Sequence, residues 1–276
     1  MSEAIRRKLA LAFILLALAW PQASTMAQAT RVTGPGDVQV RAAQHSNPSE
    51  SAQIAPKGHV VAFGMSDVLE VFHKEATHGA AILARHYGRG GQVSVRTNKP
   101  GAPRATITSL RAALLKVAQQ MDRERDVLFV FLTSHGSEDG VAVTTGGKTV
   151  ALSPRHLQRL LRKTGVRNKV VIVSACYSGI FADALADRRT LVITAADATH
   201  PSFGCEPGVA WTWFGEALFV KGIPNAATLQ QAFARTRAEV RRREIQLCRV
   251  EKECYEPSNP QLRGGEEVLP LLRVLR

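Results

Sequence analysis

The sequence lacks the patterns that hold metals and phosphates. It has four cysteines in 276 residues, and Cys248 and Cys254 have no second Cys/His pair at zinc-finger spacing. The segment 146–149 (GGKT) superficially suggests a phosphate loop, but Ala142 stands where that motif needs its first glycine. We therefore expect no metal and no other cofactor. The sequence also has no internal repeat, which excludes repeat architectures.

Long apolar runs are also missing, except at the N-terminus. Three basic residues, Arg6–Lys8, precede 12 apolar residues, Leu9–Trp20, and small residues follow at Ala27 and Ala29. This is the pattern of a secretory signal peptide covering residues 1–29, and the run is too short to span a bilayer comfortably. We expect a secreted or periplasmic protein with no membrane span after signal cleavage; the alternative is an uncleaved N-terminal anchor.

Acidic residues are outnumbered, with 36 Lys and Arg against 23 Asp and Glu and a formal net charge of +13. A basic surface attracts nucleic acid, anionic lipid or acidic envelope polymers. Export argues against nucleic acid as a partner, and we favour the interpretation that the charge is a solvated surface. The sequence leaves the oligomeric state open.

The polarity pattern changes near residue 57. Residues 30–56 lack apolar periodicity and are expected to be a linker or an N-terminal arm. Beyond them, short apolar runs alternate with helical periods, which predicts one α/β domain over 57–276, with a mostly parallel central sheet flanked by helices. Three apolar runs indicate strands covered on both faces: Val127–Thr133, Val170–Val173 and Leu191–Thr194.

The C-terminal third predicts three further elements. A helix is expected around Trp213–Val220, and a long basic helix from Thr228 to Gln246. A last strand is expected near Val268–Leu272 because that segment is apolar.

Two strand ends carry the residues that indicate chemistry. The strand ending at Thr133 leads into Ser134-His135-Gly136, and the strand ending at Val173 leads into Ser174-Ala175-Cys176-Tyr177. Only a hairpin and one helix separate these strands, so we expect them to be parallel neighbours that end on the same sheet edge, where ligands bind in such sheets. The sequence therefore predicts Cys176 as a thiolate nucleophile and His135 as its acid/base partner.

Small residues surround this pair. The backbone N–H groups of Gly136 and Cys176 are candidates to hold a developing oxyanion, and Gly179 is expected to open a helix beneath the site.

These residues resemble the caspase-like clan of cysteine peptidases and, within it, the bacterial branch of the legumain family. Four blocks carry the resemblance: Ser134–Ser137 (SHGS), Ser174–Gly179 (SACYSG), Thr194–Ala196 leading to Ser202–Cys205 (TAA and SFGC), and Thr212–Glu216 (TWFGE). The resemblance covers about Gly58 to Leu272 and implies a caspase-like three-layer sandwich with a protein or peptide substrate.

The resemblance also implies site residues. It supports His135 and Cys176 as the dyad and places Ser202 and Glu216 near the pocket for the substrate residue that precedes the cut bond. Legumains have an aspartate where this chain has Glu216 and an Arg-His pair where it has Phe72-His73. An acidic pocket without its arginine favours Lys or Arg as an alternative to asparagine.

The number and spacing of the cysteines limit how they can pair. If Cys176 stays free, three cysteines remain and cannot all pair. Two of them are expected to form a disulfide after export; Cys248–Cys254 is the first choice. The rival partner is Cys205, which aligns with a legumain cysteine beside the pocket.

Three functions remain open from the sequence. The leading one is an exported cysteine endopeptidase. A transpeptidase or ligase would use the same dyad, with an amine intercepting the acyl-enzyme. A non-catalytic basic envelope-binding protein is the alternative from another class, and the intact His135, Gly136 and Cys176 argue against it.

Overall fold

The structure is a computed structural model that describes residues 55–272. The chain divides into two units, Met1–Ser51 and Ala52–Arg276, and the described residues lie in the second. The predicted signal peptide and residues 30–54 of the predicted arm lie outside them. Within 55–272, no helix is both long and apolar enough to cross a bilayer.

Nine strands and six α-helices make up the described part of the chain. The strands are β1 Gly58–Gly64, β2 Val93–Thr97, β3 Val127–Thr133, β4 Gly136–Ser137, β5 Gly140–Thr145, β6 Lys148–Leu152, β7 Asn168–Ser174, β8 Thr190–Thr194 and β9 Gln261–Arg263. The helices are α1 Glu70–Tyr87, α2 Ile107–Gln119, α3 Pro154–Thr164, α4 Gly179–Leu185, α5 Trp213–Gly215 and α6 Leu229–Glu251.

The main sheet has the order β2-β1-β3-β7-β8-β9. Its first five strands are parallel, and only β9 is antiparallel. A separate antiparallel sheet, β4-β5-β6, lies between β3 and α3 in the chain. The predicted mostly parallel α/β sheet is confirmed.

Helices cover both faces of the main sheet, which gives three layers. Along β3, Leu128, Val130 and Leu132 face one core, which also contains apolar residues of α2, α3 and α4. The alternate residues Phe129 and Phe131 face the other core, with α1 and α6. An all-apolar strand is stable only when both faces are covered, because each large apolar side chain contributes about 1.5–3 kcal/mol when it leaves water.

Local signals set several helix ends. Ser153 accepts a hydrogen bond from the N–H of His156, and Pro154 occupies the first turn of α3. Thr228 caps α6 in the same way through the N–H of Gln231.

Two C-terminal elements differ from expectation. The predicted helix at Trp213–Val220 is a short α-helical turn followed by a π-helical segment, Glu216–Gly222. The predicted last strand at Val268–Leu272 is wrong: Leu269–Leu271 is a 3-10 turn, because Pro270 has no N–H to donate to a strand ladder. The last strand is instead β9, which pairs with β8.

Candidate active site

The strand ends that carry His135 and Cys176 lie side by side. Strands β3 and β7 are parallel neighbours, and Thr133 is paired in register with Ser174. One residue further, the N–H of Ser134 donates to the carbonyl of Ser174 over 3.2 Å. His135 and Cys176 each follow two residues after this last pair, at the carboxyl edge of the sheet. The predicted adjacency of the two strands is confirmed.

Gly136 lies directly against the Cys176 backbone. A Cβ at position 136 would stand 2.1 Å from the carbonyl oxygen of Cys176 and 3.0 Å from the Cβ of Ala175. No side chain fits in that space, so glycine is needed for the two turns to touch. The N–H of Cys176 donates no hydrogen bond to any group of residues 55–272 and is therefore available for a substrate oxygen.

The His135 ring is oriented by packing. Its centroid lies 4.9 Å from that of Phe72 on α1, edge to face. Within the described part of the chain, no group hydrogen-bonds a ring nitrogen of His135. Burial lowers the pKa of His135 below its usual 6.5, so the imidazole is neutral near pH 7 and can accept a proton.

The Cys176 thiol is in contact with Ser202. The N–H of Ser202 lies 3.3 Å from Cys176 Sγ, the carbonyl oxygen of Ser202 3.5 Å and its hydroxyl 3.6 Å. Tyr177, the next residue, adopts a left-handed backbone with φ 56°, which turns the chain sharply after the nucleophile. Ser202 therefore lies beside Cys176; its place in the substrate pocket, which the resemblance implies, stays a prediction.

Asp197 holds the loop that leads to Ser202. His200 Nδ1 lies 2.7 Å from its carboxylate, and the side-chain amide of Asn259 donates to it over 2.9 Å. Although burial acts to raise it, these hydrogen bonds and those from Thr199 lower the pKa of Asp197 to about 2. The N–H of Tyr177 donates to the carbonyl of His200 over 2.9 Å, which connects this loop to the turn after Cys176.

The Glu216 carboxylate forms ion pairs with two cationic side chains. One carboxylate oxygen lies 2.8 Å from Nη2 of Arg243, and the other lies 3.5 Å from Nζ of Lys221. The backbone N–H of Glu216 donates to the carbonyl of Thr212. The role of Glu216 in substrate binding stays a prediction, and the alternative is a surface ion pair.

Two of the four cysteines form a disulfide, and the other two are free thiols. Cys248 and Cys254 form a disulfide with a Cα–Cα distance of 4.4 Å, as expected. Cys176 and Cys205 are free and half-buried. Burial, and to a smaller extent the nearby Cys176, raises the pKa of Cys205, so Cys205 remains a protonated thiol. Within residues 55–272, no cluster of three or more His, Cys, Asp or Glu side chains could hold a metal ion.

One buried acid at the site was not predicted. Glu75 on α1 is fully buried and accepts hydrogen bonds from the hydroxyls of Thr133, Ser174 and Thr212. No sequence pattern marks this residue, because a Lys-Glu pair within a helix is typical of a solvated face.

Comparisons with known proteins agree with this architecture. Caspase-1 from Spodoptera frugiperda has a similar fold, with a TM-score of 0.54 at 14% identity, covering 76% of this chain and 87% of that chain. At that identity the likeness shows the fold alone, which is caspase-like. No curated protein matches the sequence. The profile of the peptidase C13 family matches residues 109–255, just over half of the chain and including both His135 and Cys176. The chain therefore belongs to the peptidase C13 family, the legumain family of cysteine peptidases.

Proposed function

We propose that the chain is an exported cysteine endopeptidase that cuts peptide bonds with Cys176 as nucleophile and His135 as acid and base. One observation carries this proposal: the register of β3 and β7 brings a half-buried thiol and a neutral imidazole to one sheet edge. Export rests on the N-terminal pattern alone, and the bacterial branch of the family rests on the four sequence blocks.

The reaction starts with proton transfer from Cys176 to His135. The sulfur then bonds to the carbonyl carbon, and the carbonyl oxygen takes the electron pair and the negative charge. The N–H groups of Gly136 and Cys176 are proposed to hold that oxygen. When the carbon–nitrogen bond breaks, His135 returns its proton to the leaving amine. A thioester remains on Cys176.

Water completes the cycle. His135 removes a proton from the water, and the water oxygen bonds to the thioester carbon. The carbon–sulfur bond then breaks, the carboxylic acid is released, and the departing Cys176 thiolate takes the proton back from His135. In a transpeptidase or ligase, an amine attacks in place of water and a new peptide bond forms. No contact among residues 55–272 favours an amine over water as the group that attacks the thioester. We therefore propose hydrolysis.

A thiol-reactive peptide probe tests the proposal. We expect the wild-type protein to become labelled at Cys176, because the probe occupies the substrate site and reacts with the sulfur there. Peptide mapping by mass spectrometry locates the label. Cys205→Ala is the matched control: it removes the other free, half-buried thiol and should keep the label.

Labelling at Cys205 alone, or no labelling of folded protein, would contradict the proposal. Mass spectrometry of the peptide products, with and without an added amine, separates hydrolysis from transpeptidation.

The substrate residue before the cut bond is proposed to be asparagine or a basic residue, and Ser202 is proposed to contact it. Asparagine is the preference that the family resemblance implies, and the basic alternative follows from an acidic pocket that lacks its arginine. Glu216 is the other candidate for that pocket, but its carboxylate is already paired with Arg243 and Lys221.

Glu216→Gln distinguishes the two alternatives for this acid, a substrate-binding group in the pocket or a surface ion pair. The variant is compared with wild type on matched peptides that carry Arg, Lys, Asn or Ala before the cut bond. Because two cations already hold the carboxylate, we expect kcat/KM for all four peptides to change by a similar factor. A loss confined to the Arg and Lys peptides, on the scale of a charge-assisted hydrogen bond, about 1.5–3 kcal/mol, would instead place Glu216 in the pocket.

A further inference from the structure

The Glu75 carboxyl group lies beneath the proposed dyad. The residue is 0% exposed, and no ion pair among residues 55–272 includes it. Its partners are hydroxyls: Thr212 Oγ1 donates to Oε1 over 2.6 Å, Ser174 Oγ donates to Oε1 over 3.3 Å, and Thr133 Oγ1 donates to Oε2. Glu75 thus joins three segments that are distant in sequence.

Two of these hydroxyls belong to the last paired residues of the central strands. Thr133 and Ser174 are opposite each other in the register of β3 and β7, and each stands two residues before a proposed catalytic side chain. After this pair the chains leave the sheet and enter turns. A clamp at this point fixes where both turns begin.

The third hydroxyl belongs to the segment after the Ser202 loop. Thr212 caps α5 by accepting the N–H of Gly215 over 2.9 Å, and it lies 3.1 Å from Ser174 Oγ. Trp213, the residue after Thr212, donates its N–H to the carbonyl of Phe203. Glu75 is therefore connected through Thr212 to the loop that contacts the Cys176 thiol.

The Glu75 carboxyl group lies directly against the backbone of Gly215. A Cβ at Gly215 would lie 1.7 Å from Oε1 of Glu75, so a side chain there would expel the carboxyl group. One turn earlier on the same helix, Phe72 packs against the His135 ring. The first two turns of α1 thus support both sides of the dyad.

Stability alone does not explain an acid in this place. Burial raises the pKa of Glu75, against the hydrogen bonds from Thr133, Thr212 and Ser174, and no cation offsets the cost of removing the group from water. A well-packed apolar side chain is often as stable as a buried charged group or more so. The rest of the α1 face toward the sheet is apolar, with Val71, Ala76, Ala80 and Leu83 all buried.

We propose that Glu75 is a positioning residue of the active site. Through the hydroxyls of Thr133, Ser174 and Thr212, it sets the spacing between His135 and Cys176 and anchors the Ser202 loop. This inference rests on the proposed function, because it assumes that His135 and Cys176 act together.

Two Glu75 variants and one matched control test the inference. Glu75→Ala removes the clamp, whereas Glu75→Gln keeps its size and one acceptor oxygen. The control is Asp126→Asn. Asp126 is another buried acid, 5% exposed, bonded to His59 and to the N–H of Lys57, and it immediately precedes β3 at the opposite edge of the sheet.

We expect Glu75→Ala to lower kcat about 10²-fold, the scale of a misplacement of about 1 Å between reacting groups, while KM stays within a few-fold. Glu75→Gln should recover most of the loss. Asp126→Asn should lower Tm but leave kcat unchanged at a temperature where it is folded. The rate at which the peptide probe labels Cys176 should follow kcat in the Glu75 variants.

The inference is overturned if Glu75→Ala lowers Tm as Asp126→Asn does and keeps wild-type kcat and labelling rate. If Glu75→Ala does not fold, Ser174→Ala and Thr133→Val each remove one hydroxyl of the clamp. Both should then lower kcat several-fold, and wild-type kcat in both would equally overturn it. A wild-type protein that neither cuts peptides nor labels at Cys176 would refute the proposed function instead.

Discussion

We expect Cys176→Ala to abolish peptide hydrolysis and to leave the protein folded. The sulfur is the only atom removed, and among residues 55–272 its hydrogen bonds are all to Ser202. Cys176 is half-buried in a turn, so the loss of packing is small compared with that of a core residue. The measurements are kcat/KM on one peptide, and Tm to show that the fold is retained.

Cys205→Ala is the control for this experiment. It removes the other free thiol, which burial keeps protonated. We expect it to retain wild-type activity. Comparable hydrolysis by Cys176→Ala and wild type would exclude Cys176 as the nucleophile, and a loss of activity in Cys205→Ala alone would transfer that role to Cys205.

His135→Ala should lower kcat by about 10²–10⁴-fold, the usual contribution of general acid–base catalysis. In the proposed mechanism the imidazole, which is neutral near pH 7 because burial lowers the pKa of His135, accepts the thiol proton and later returns it to the leaving amine. Without the ring, both steps depend on water. Steady-state kinetics near pH 7 measures this effect, with Tm as the check that loss of the Phe72 contact has not unfolded the site.

His156→Ala provides the matched histidine control. His156 lies in the first turn of α3, and within the described range 55–272 its hydrogen bonds are made by its backbone alone. The control should keep wild-type kcat. If His135→Ala also kept wild-type kcat, His135 would be excluded as the acid/base partner, even if Cys176 proved essential.

The sequence predicts the central sheet and the dyad for the same physical reason. Strands β3 and β7 are nearly all apolar because helices cover both of their faces, and a short crossover makes them parallel neighbours. Their ends must then share an edge, so His135 and Cys176 can be placed together without any three-dimensional information.

Other features depend on contacts that are distant in sequence. Glu75 looks like a solvated helix residue, and its burial results from partners 58, 99 and 137 positions away. Strand β9 is three residues long and partly polar, so no alternation of apolar residues marks it. The composition of the apolar segment near Pro270 favours a strand, since composition alone does not show that its backbone lacks a pairing partner.

Strand β9 has a consequence for shortened forms of the chain. The family match ends at residue 255, but β9 covers the outer edge of β8 at residues 261–263. Just before β9, the carbonyl of Ser258 and the side chain of Asn259 hold Asp197. A protein cut at the family boundary would present β8 as an open, apolar edge, and such edges recruit strands from other molecules. It would therefore aggregate, and its lack of activity would say nothing about catalysis.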